Sequence, residues 1–599
     1  MVSPCRRYVI SFNGEIYNHL AMRNDLEHVG AASAWRGSSD TETLLAAVSY
    51  WGLHEALRRA FGMFALALWD RQAQQLHLAR DRMGEKPLYL ARLSDGWAFG
   101  SELKALLAVP NFQAHLCSEA VAAYLTYGYV SDRKCIFQNV QKVQPGHVTS
   151  VSLTATSPVT HPYETFGELI DCALKRRDGA QNNGLDELET TLTDVVGEQM
   201  LSDVPLGCFL SGGVDSSLVA ALMQSQRDKP ISTFSIGFDI PRFNEAPQAA
   251  AVAQHLKTDH TEFILSEDEA LAIVPQLARI YDEPFADSSQ IPTALLCREA
   301  RKSVTVALSG DGGDEVFGGY NRYIIGPKLL QKLQLTPRVL RRSAASTIHA
   351  LGPILTRENS LARRIAKALK LPPTTIDKAV SLAPMLPQIE DHETLYRHFT
   401  QIIANPSQFL DFETIETTSL CLPESLLRLD VAEWMMAMDS ISYLPGDILV
   451  KVDRAAMASS LETRAPFLDA RVINAAWNIP QGQKINSGQG KQVLRQILDR
   501  HVPRALIDRP KQGFAVPLDS WLRGGLREWA EVLLKDRKLF ELAGLAYEPI
   551  NHLWLDHQNN GIDHGPKLWC ILMLLSWLRE YETSLQSPVH SAKAEGILT

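Results

Sequence analysis

No two of the eight cysteines stand in C-x-x-C spacing, so neither a zinc site nor a disulfide framework is indicated, and a reducing cytoplasm is the expected location. Basic residues are not in excess. Lys plus Arg number 59 against 68 Asp plus Glu, a net charge of −9, which argues against non-specific binding to nucleic acid. The N-terminus carries no apolar signal core. The most apolar stretch, Leu568 to Leu578, is about half of the ~20 residues that span a bilayer, so no membrane partner is expected. Internal repeats and low-complexity tracts are also lacking. What is there is ordinary globular material, 45% hydrophobic and 21% charged, and 599 residues are too many for one core. Two to four domains are expected.

Short apolar or alternating runs crowd the first 110 residues: Tyr8 to Phe12, Met63 to Trp69, Gln75 to Ala79, Leu88 to Ala91 and Trp97 to Gly100. They predict a mixed, sheet-rich domain over residues 1–150. A connector at 151–184 holds Ser157-Pro158, His161-Pro162 and Arg176-Arg177-Asp178-Gly179, and reads as an exposed linker. From Leu185 to residue 599 the texture changes. Strands are predicted at 204–210, 231–238, near 259–265 and at 304–308, with helices between them. That alternation indicates an α/β doubly wound parallel sheet. Beyond Tyr320 the pattern is mostly helical.

The strand at 204–210 runs into Ser211-Gly212-Gly213-Val214-Asp215-Ser216-Ser217 and then a helix. Strand, glycine-rich turn and helix make a phosphate cradle: backbone N–H groups approach an anion where no Cβ intervenes. Asp215 is out of place in a pure anion site, and a Mg²⁺ bridging it to phosphates accounts for it. No Lys-Ser/Thr ending follows, so this is not a Walker A loop. A second strand ends in Ser309-Gly310-Asp311-Gly312-Gly313-Asp314-Glu315. Three acids in five residues among glycines are not a folding requirement. Asp314 is a candidate to share Mg²⁺ with Asp215, and Asp311 to hold or deprotonate an amine nucleophile. The cluster Lys451-Val452-Asp453-Arg454 with Ser460 to Asp469 reads as a charged helix and turn, and an ion-pair network remains an equal reading. Arg509-Pro510-Lys511-Gln512-Gly513-Phe514 is a basic loop whose Lys511 can neutralise charge on phosphate. Near the N-terminus, Asn13 and the Gly14 N–H suit an oxyanion hole, and Glu15 and Asp40 suit an α-ammonium group. Alone, Asn-Gly is only a turn signal.

Together these segments resemble the glutamine-hydrolysing asparagine synthetases of the bacterial two-domain type. FNGEIYN, SSDTE, GMFALALWD, ARDRMGEKPLYL, FGSELKALL, FLSGGVDSS, ALSGDGGDEVFGGY, LVKVDRAAM, SLETRAPFLD and RPKQGF fall in that family's order. The resemblance implies an N-terminal-nucleophile (αββα) glutaminase domain, and an ATP-pyrophosphatase synthetase domain joined to it by an ammonia tunnel. The implied chemistry is activation of aspartate as β-aspartyl-AMP and displacement of AMP by ammonia, with ATP and Mg²⁺. By the same resemblance Asn13 and Gly14 form the oxyanion hole and Glu15 and Asp40 bind glutamine. Ser211, Gly212, Gly213, Val214, Asp215, Ser216, Ser217 and Ser309 cradle ATP, and Ile236 and Gly310 contact adenine and ribose. Asp215 and Asp314 hold Mg²⁺, and Asp311 and Lys511 act in catalysis. Small-molecule substrates and a homodimer are the implied partners.

One departure matters. The family's nucleophile is a cysteine that becomes residue one, but this chain begins Met1-Val2-Ser3-Pro4-Cys5, and FNGE starts at residue 12. Cys5 is not its equivalent. The expectation is a remnant glutaminase with loosely packed strands and a synthetase running on ammonia, its N-terminal segment lost to a start assigned too far downstream. Rival readings are amidation of another carboxylate, such as a sugar uronate, and a non-catalytic paralogue.

Overall fold

The computed structural model describes residues 1–31, 35–152, 157–177, 184–239, 244–355, 380, 383–413, 426, 428–508, 516–559 and 562–585. Eight strands build the first half: β1 (Tyr8–Ile16), β2 (Gly62–Asp70), β3 (Gln75–Arg80), β4 (Tyr89–Leu93), β5 (Gly96–Gly100), β6 (Val140–Lys142), β7 (His147–Ser152) and β8 (Val159–Pro162). They form an antiparallel sheet in the order β1-β2-β3-β7-β8 and a smaller one in the order β5-β4-β6. Strand β2 shows how alternation makes the layers. Phe64, Leu66 and Leu68 pack against a helical layer through Leu44, Leu45, Val48 and Leu57. Ala65 and Ala67 face the other way, onto Leu88, Leu90 and Val143 of the second sheet. Tyr89 and Ala91 on that sheet's far side pack with Val121 and Tyr124 of the helix Ser118–Tyr127. The result is an αββα sandwich. Its strands are well packed, against the expectation of looseness: Ile10 is 3% and Ile16 0% exposed.

The expected linker is not one. Strand β8 pairs antiparallel with β7, and Phe166–Arg177 is a helix. Phe166, Leu169, Ile170 and Ala173 recur at helical spacing and are buried, with Phe166 edge-on to Trp477 at 6.0 Å. His161-Pro162 marks the end of an edge strand, where proline costs no ladder bond.

The second half is built on five parallel strands: β9 (Leu206–Phe209), β10 (Ser232–Phe238), β11 (Asp259–Leu265), β12 (Val306–Leu308) and β13 (Glu462–Arg464). Their order is β11-β10-β9-β12-β13. The chain winds outward from β9 to β11, then returns to lay β12 on the other side of β9. The crevice between the ends of β9 and β12 is therefore a topological switch point, the place where open α/β sheets bind ligands. The cluster's helix is present as read, at Leu449–Ala458, whereas β13 corrects the reading of Ser460 to Asp469 as a turn. Among the described residues, no helix is long and apolar enough to cross a membrane.

The two halves meet through buried charge. Lys86 pairs with Asp453 at 2.8 Å and Lys142 with Glu283 at 2.6 Å. Asp282 accepts from the backbone N–H groups of Leu103 and Lys104, and Glu283 from that of Ile136. The cluster at 451–469 is thus an ion-pair network, and it reaches across the molecule. Lys86 and Asp453 side chains are 4% and 8% exposed. Lys86→Met leaves Asp453 buried without its cation and is expected to cost about 3–5 kcal/mol, whereas Lys86→Met with Asp453→Leu costs much less. Chemical unfolding of the two variants checks this, and equal losses contradict it.

Candidate active site

Where β9 ends, Ser211 begins the loop and Gly213 caps the helix Val214–Ser225. Gly212 has φ +70°, and a Cβ there meets the backbone N of Ala249 at 2.9 Å. Ser216 Oγ accepts from Ser211 N at 3.1 Å and lies 2.9 Å from Ser211 Oγ, which fixes the turn. The β12 loop presses on this one. A Cβ on Gly310 falls 2.8 Å from Asp215 Cβ, and one on Gly313 falls 2.7 Å from Asp215 Oδ1. Two acidic, glycine-rich loops therefore touch at the switch point, as their sequences predict.

What joins them was not foreseen. Lys491 Nζ lies 2.7 Å from Asp314 and ion-pairs with Asp215 as well. The two predicted Mg²⁺ carboxylates thus converge on one cation. Two hard oxygen donors aimed at a single positive charge fit a divalent ion that also binds phosphate. Lys491 has φ +59° and follows Gly488-Gln489-Gly490, and a Cβ on Gly490 would lie 2.0 Å from Gly318 O. A lysine at the end of a glycine turn, opening a helix, was the available signal.

Asp311 lies beside this pair. Burial raises its carboxyl above the ordinary range, and Asp215 and Asp314 add to the shift, while Ser309 and Lys451 oppose it. Lys451 is itself held by Asp287 at 2.7 Å and Ser289 at 2.9 Å. Ile236 lies in β10 with its side chain 4% exposed in the main core. Lys511 lies outside the described residues.

In the first half, Gly14 is required by contact: a Cβ would sit 2.1 Å from Met63 O on β2. Asn13 Nδ2 donates to Ser101 Oγ at 3.2 Å, and Asp40 accepts from Ile16 N at 2.9 Å. Glu15 also faces the other half, 3.8 Å from Arg464 on β13. Two small cavities are lined by residues of both halves. One is bounded by Tyr17, Phe61, Arg82, Glu85 and Asp469, the other by Met63, Glu85, Lys86, Ser309, Asp311 and Val452. Glu85 borders both, and the second reaches Ser309 and Asp311.

The asparagine synthase family model matches residues 187–579, and the glutamine amidotransferase domain model matches residues 1–164. A Mycobacterium tuberculosis protein named "Putative asparagine synthetase, glutamine-hydrolyzing" is 35% identical over 577 residues, covering 95% of this chain and 84% of its own. Glutamine-hydrolyzing asparagine synthetase 1 of Bacillus subtilis is 32% identical over 570 residues, covering 95% of this chain and 85% of its own. This chain belongs to the asparagine synthetase family. It is a ligase of the asparagine synthase type.

Two outcomes follow from the geometry. Gly313→Ala drives a methyl group into the Asp215 carboxylate and is expected to lower ATP-dependent turnover about 100-fold or more, since an ångström of misplacement is felt at that scale. Retained turnover in a pyrophosphate-release assay contradicts it. The Glu15 carboxyl is pushed up to about 7, first by burial and then by Asp40, against Arg464. Between the ordinary 4.5 and about 7 the folded chain keeps a proton that the unfolded chain has lost, so this group lowers stability as pH rises through that window. Glu15→Gln is expected to flatten that part of the melting temperature against pH, and an unchanged slope refutes the assignment.

Proposed function

We propose that this chain makes asparagine from aspartate, ATP and a nitrogen donor by way of β-aspartyl-AMP. The observation that carries the reading is the convergence of Asp215, Asp314 and Lys491 beside Asp311 at the switch point of the parallel sheet. A carboxylate is a poor acyl donor to an amine because its oxygen is a poor leaving group, and an anhydride with AMP supplies a good one. The loop Ser211 to Ser217 and the helix behind it donate N–H groups to the phosphates. Asp215 and Asp314 would hold Mg²⁺, which would supply positive charge against the phosphates. Lys491, and Lys511 by the family resemblance, add positive charge there. Ile236 and Gly310 line the adenosine site. Asp311, with its proton affinity raised, is placed to accept a proton from the attacking ammonia.

Glutamine is the nitrogen donor that the curated relatives' names give, and Asn13, Gly14, Glu15 and Asp40 are its proposed binding groups. Ammonia then follows the cavities past Glu85. Free ammonia is mostly protonated at neutral pH, and delivery inside the protein keeps it nucleophilic. A cytoplasmic setting and small-molecule partners accord with this chemistry.

The test is asparagine formation by the purified chain with ATP, Mg²⁺ and aspartate, comparing ammonia with glutamine. Product is expected with ammonia, and Asp215→Asn or Asp314→Asn is expected to lower its rate by at least about 100-fold. Glutamine-supported product assigns nitrogen supply to the first half. No asparagine from either source, with amidation of galacturonate instead, would replace aspartate by a uronate.

A further inference from the structure

The three most exposed large apolar side chains among the described residues stand within one short span: Leu335 at 80%, Val339 at 72% and Leu340 at 60%. A lone exposed leucine is ordinary, but a cluster at one corner of the molecule is not. The corner joins two helices, Asn321–Gln334 and Arg338–Leu355. The first is anchored on one side, where Tyr323, Leu330 and Leu333 are buried in the core of the second half. Its other side carries Ile325, Lys328 and Lys332, all exposed, at spacings of three and four that put them on one face leading to Leu335. Val339 and Leu340 continue the apolar surface into the second helix. Leu351 is exposed on the same face as Leu340, about three turns later.

The charge of this surface has one sign. Residues 321–355 hold six Arg and Lys and no Asp or Glu, in a chain whose net charge is −9. Three of the six are committed. Arg322 pairs with Asp439, Arg338 pairs with Glu390 at 2.6 Å, and Arg341 donates to the carbonyls of Thr336 and Ile389. Lys328, Lys332 and Arg342 are exposed and form no ion pair with a described residue.

The occupant of such a corner has to supply negative charge and accept aliphatic side chains. A second copy of this chain would bring the same cations against these, and like charges oppose that contact. Residues 356–379, next in the chain, add six Arg or Lys against two acids, so their charge does not complement the corner either. Nucleic acid matches the cations, but its bases stack on aromatic rings, and the corner offers aliphatic ones. A bilayer with anionic headgroups matches both features: lipid phosphates meet the cations, and the interface takes up leucine and valine. The expectation of no membrane partner rested on the absence of a span, and a surface that lies on a bilayer needs none.

We propose that this helix–helix corner docks the protein on an anionic lipid surface. Leu335, Val339 and Leu340 enter the headgroup region, and Lys328, Lys332 and Arg342 meet the lipid phosphates. Docking of this kind does not depend on which carboxylate is amidated.

The test is sedimentation of the full chain with vesicles of phosphatidylcholine alone or with about 30% phosphatidylglycerol, at low and high salt. The wild type is expected to bind the anionic vesicles at least about 10-fold more tightly than the neutral ones, and to lose most of that preference at high salt. Leu335→Gln with Val339→Gln and Leu340→Gln removes the apolar corner, and Lys328→Glu with Lys332→Glu reverses charge beside it. Each set is expected to weaken binding to anionic vesicles about 10-fold or more, with an unchanged melting temperature as the check on folding. Absence of wild-type binding to anionic vesicles at low salt overturns the proposal, as does affinity that either set retains within about 2-fold. Binding of poly-glutamate or of a DNA duplex without binding of vesicles overturns it in favour of an acidic polypeptide or a nucleic acid.

Discussion

Two carboxylates, Asp215 and Asp314, are brought to one point, and the rest of the catalytic half is organised around keeping them there. Two unit charges of one sign about 4 Å apart repel by about 4 kcal/mol at an effective dielectric near 20. Folding brings them together only because Lys491 lies between, with Gly310 and Gly313 giving the loops room to touch. The absence of a side chain at those two glycines allows one acidic loop to reach the other. The cation requirement is built into the fold and is met by lysine before any nucleotide arrives.

That arrangement sits on a sheet whose strand order does the positioning. Because β12 returns beside β9, the two loops leave neighbouring strands in the same direction. Strand β13 then extends the sheet on the far side of β12 and carries Arg464 to Glu15. One three-residue strand therefore couples the register of the synthetase sheet to the first half. Buried ion pairs add little net stability, but a misregistered one is costly, so the Lys86–Asp453 and Lys142–Glu283 contacts suit fixing one docking geometry. An apolar seam of the same area would tolerate sliding.

Much of this was legible in the chain and some was not, for physical reasons. Strands β2, β3, β10 and β11 announce themselves through apolar runs or alternation, and the Ser211 and Ser309 loops through glycine following a strand. Strand β13 does not, because Glu462-Thr463-Arg464 is polar and becomes a strand only by pairing with β12. The helix at Phe166–Arg177 was hidden by the prolines before it, although its apolar spacing was present. Lys491 closes a glycine turn and opens a helix, which marks the position, but its partners lie more than 170 residues away in the chain, and the local pattern does not say what it meets. The π-helix at Asp439–Ile448 is likewise silent, since Pro445 inside it argues against any helix at all.

The chemistry explains why the seam between the halves is polar and yet closed. An acyl-adenylate is hydrolysed by any water that reaches it, so under the proposed reaction the nitrogen has to arrive through protein. A purely apolar conduit excludes water but offers ammonia no hydrogen bonds. Along the proposed route Glu85, which borders both cavities, offers a polar side chain, and burial with Asp81 nearby holds its carboxyl well above its ordinary range, against Lys86. Lys86 is committed to Asp453, so it closes the wall without presenting a free ammonium that would repel protonated nitrogen. Closure and polarity are compatible here because Lys86 is matched by Asp453, while burial favours the neutral form of Glu85.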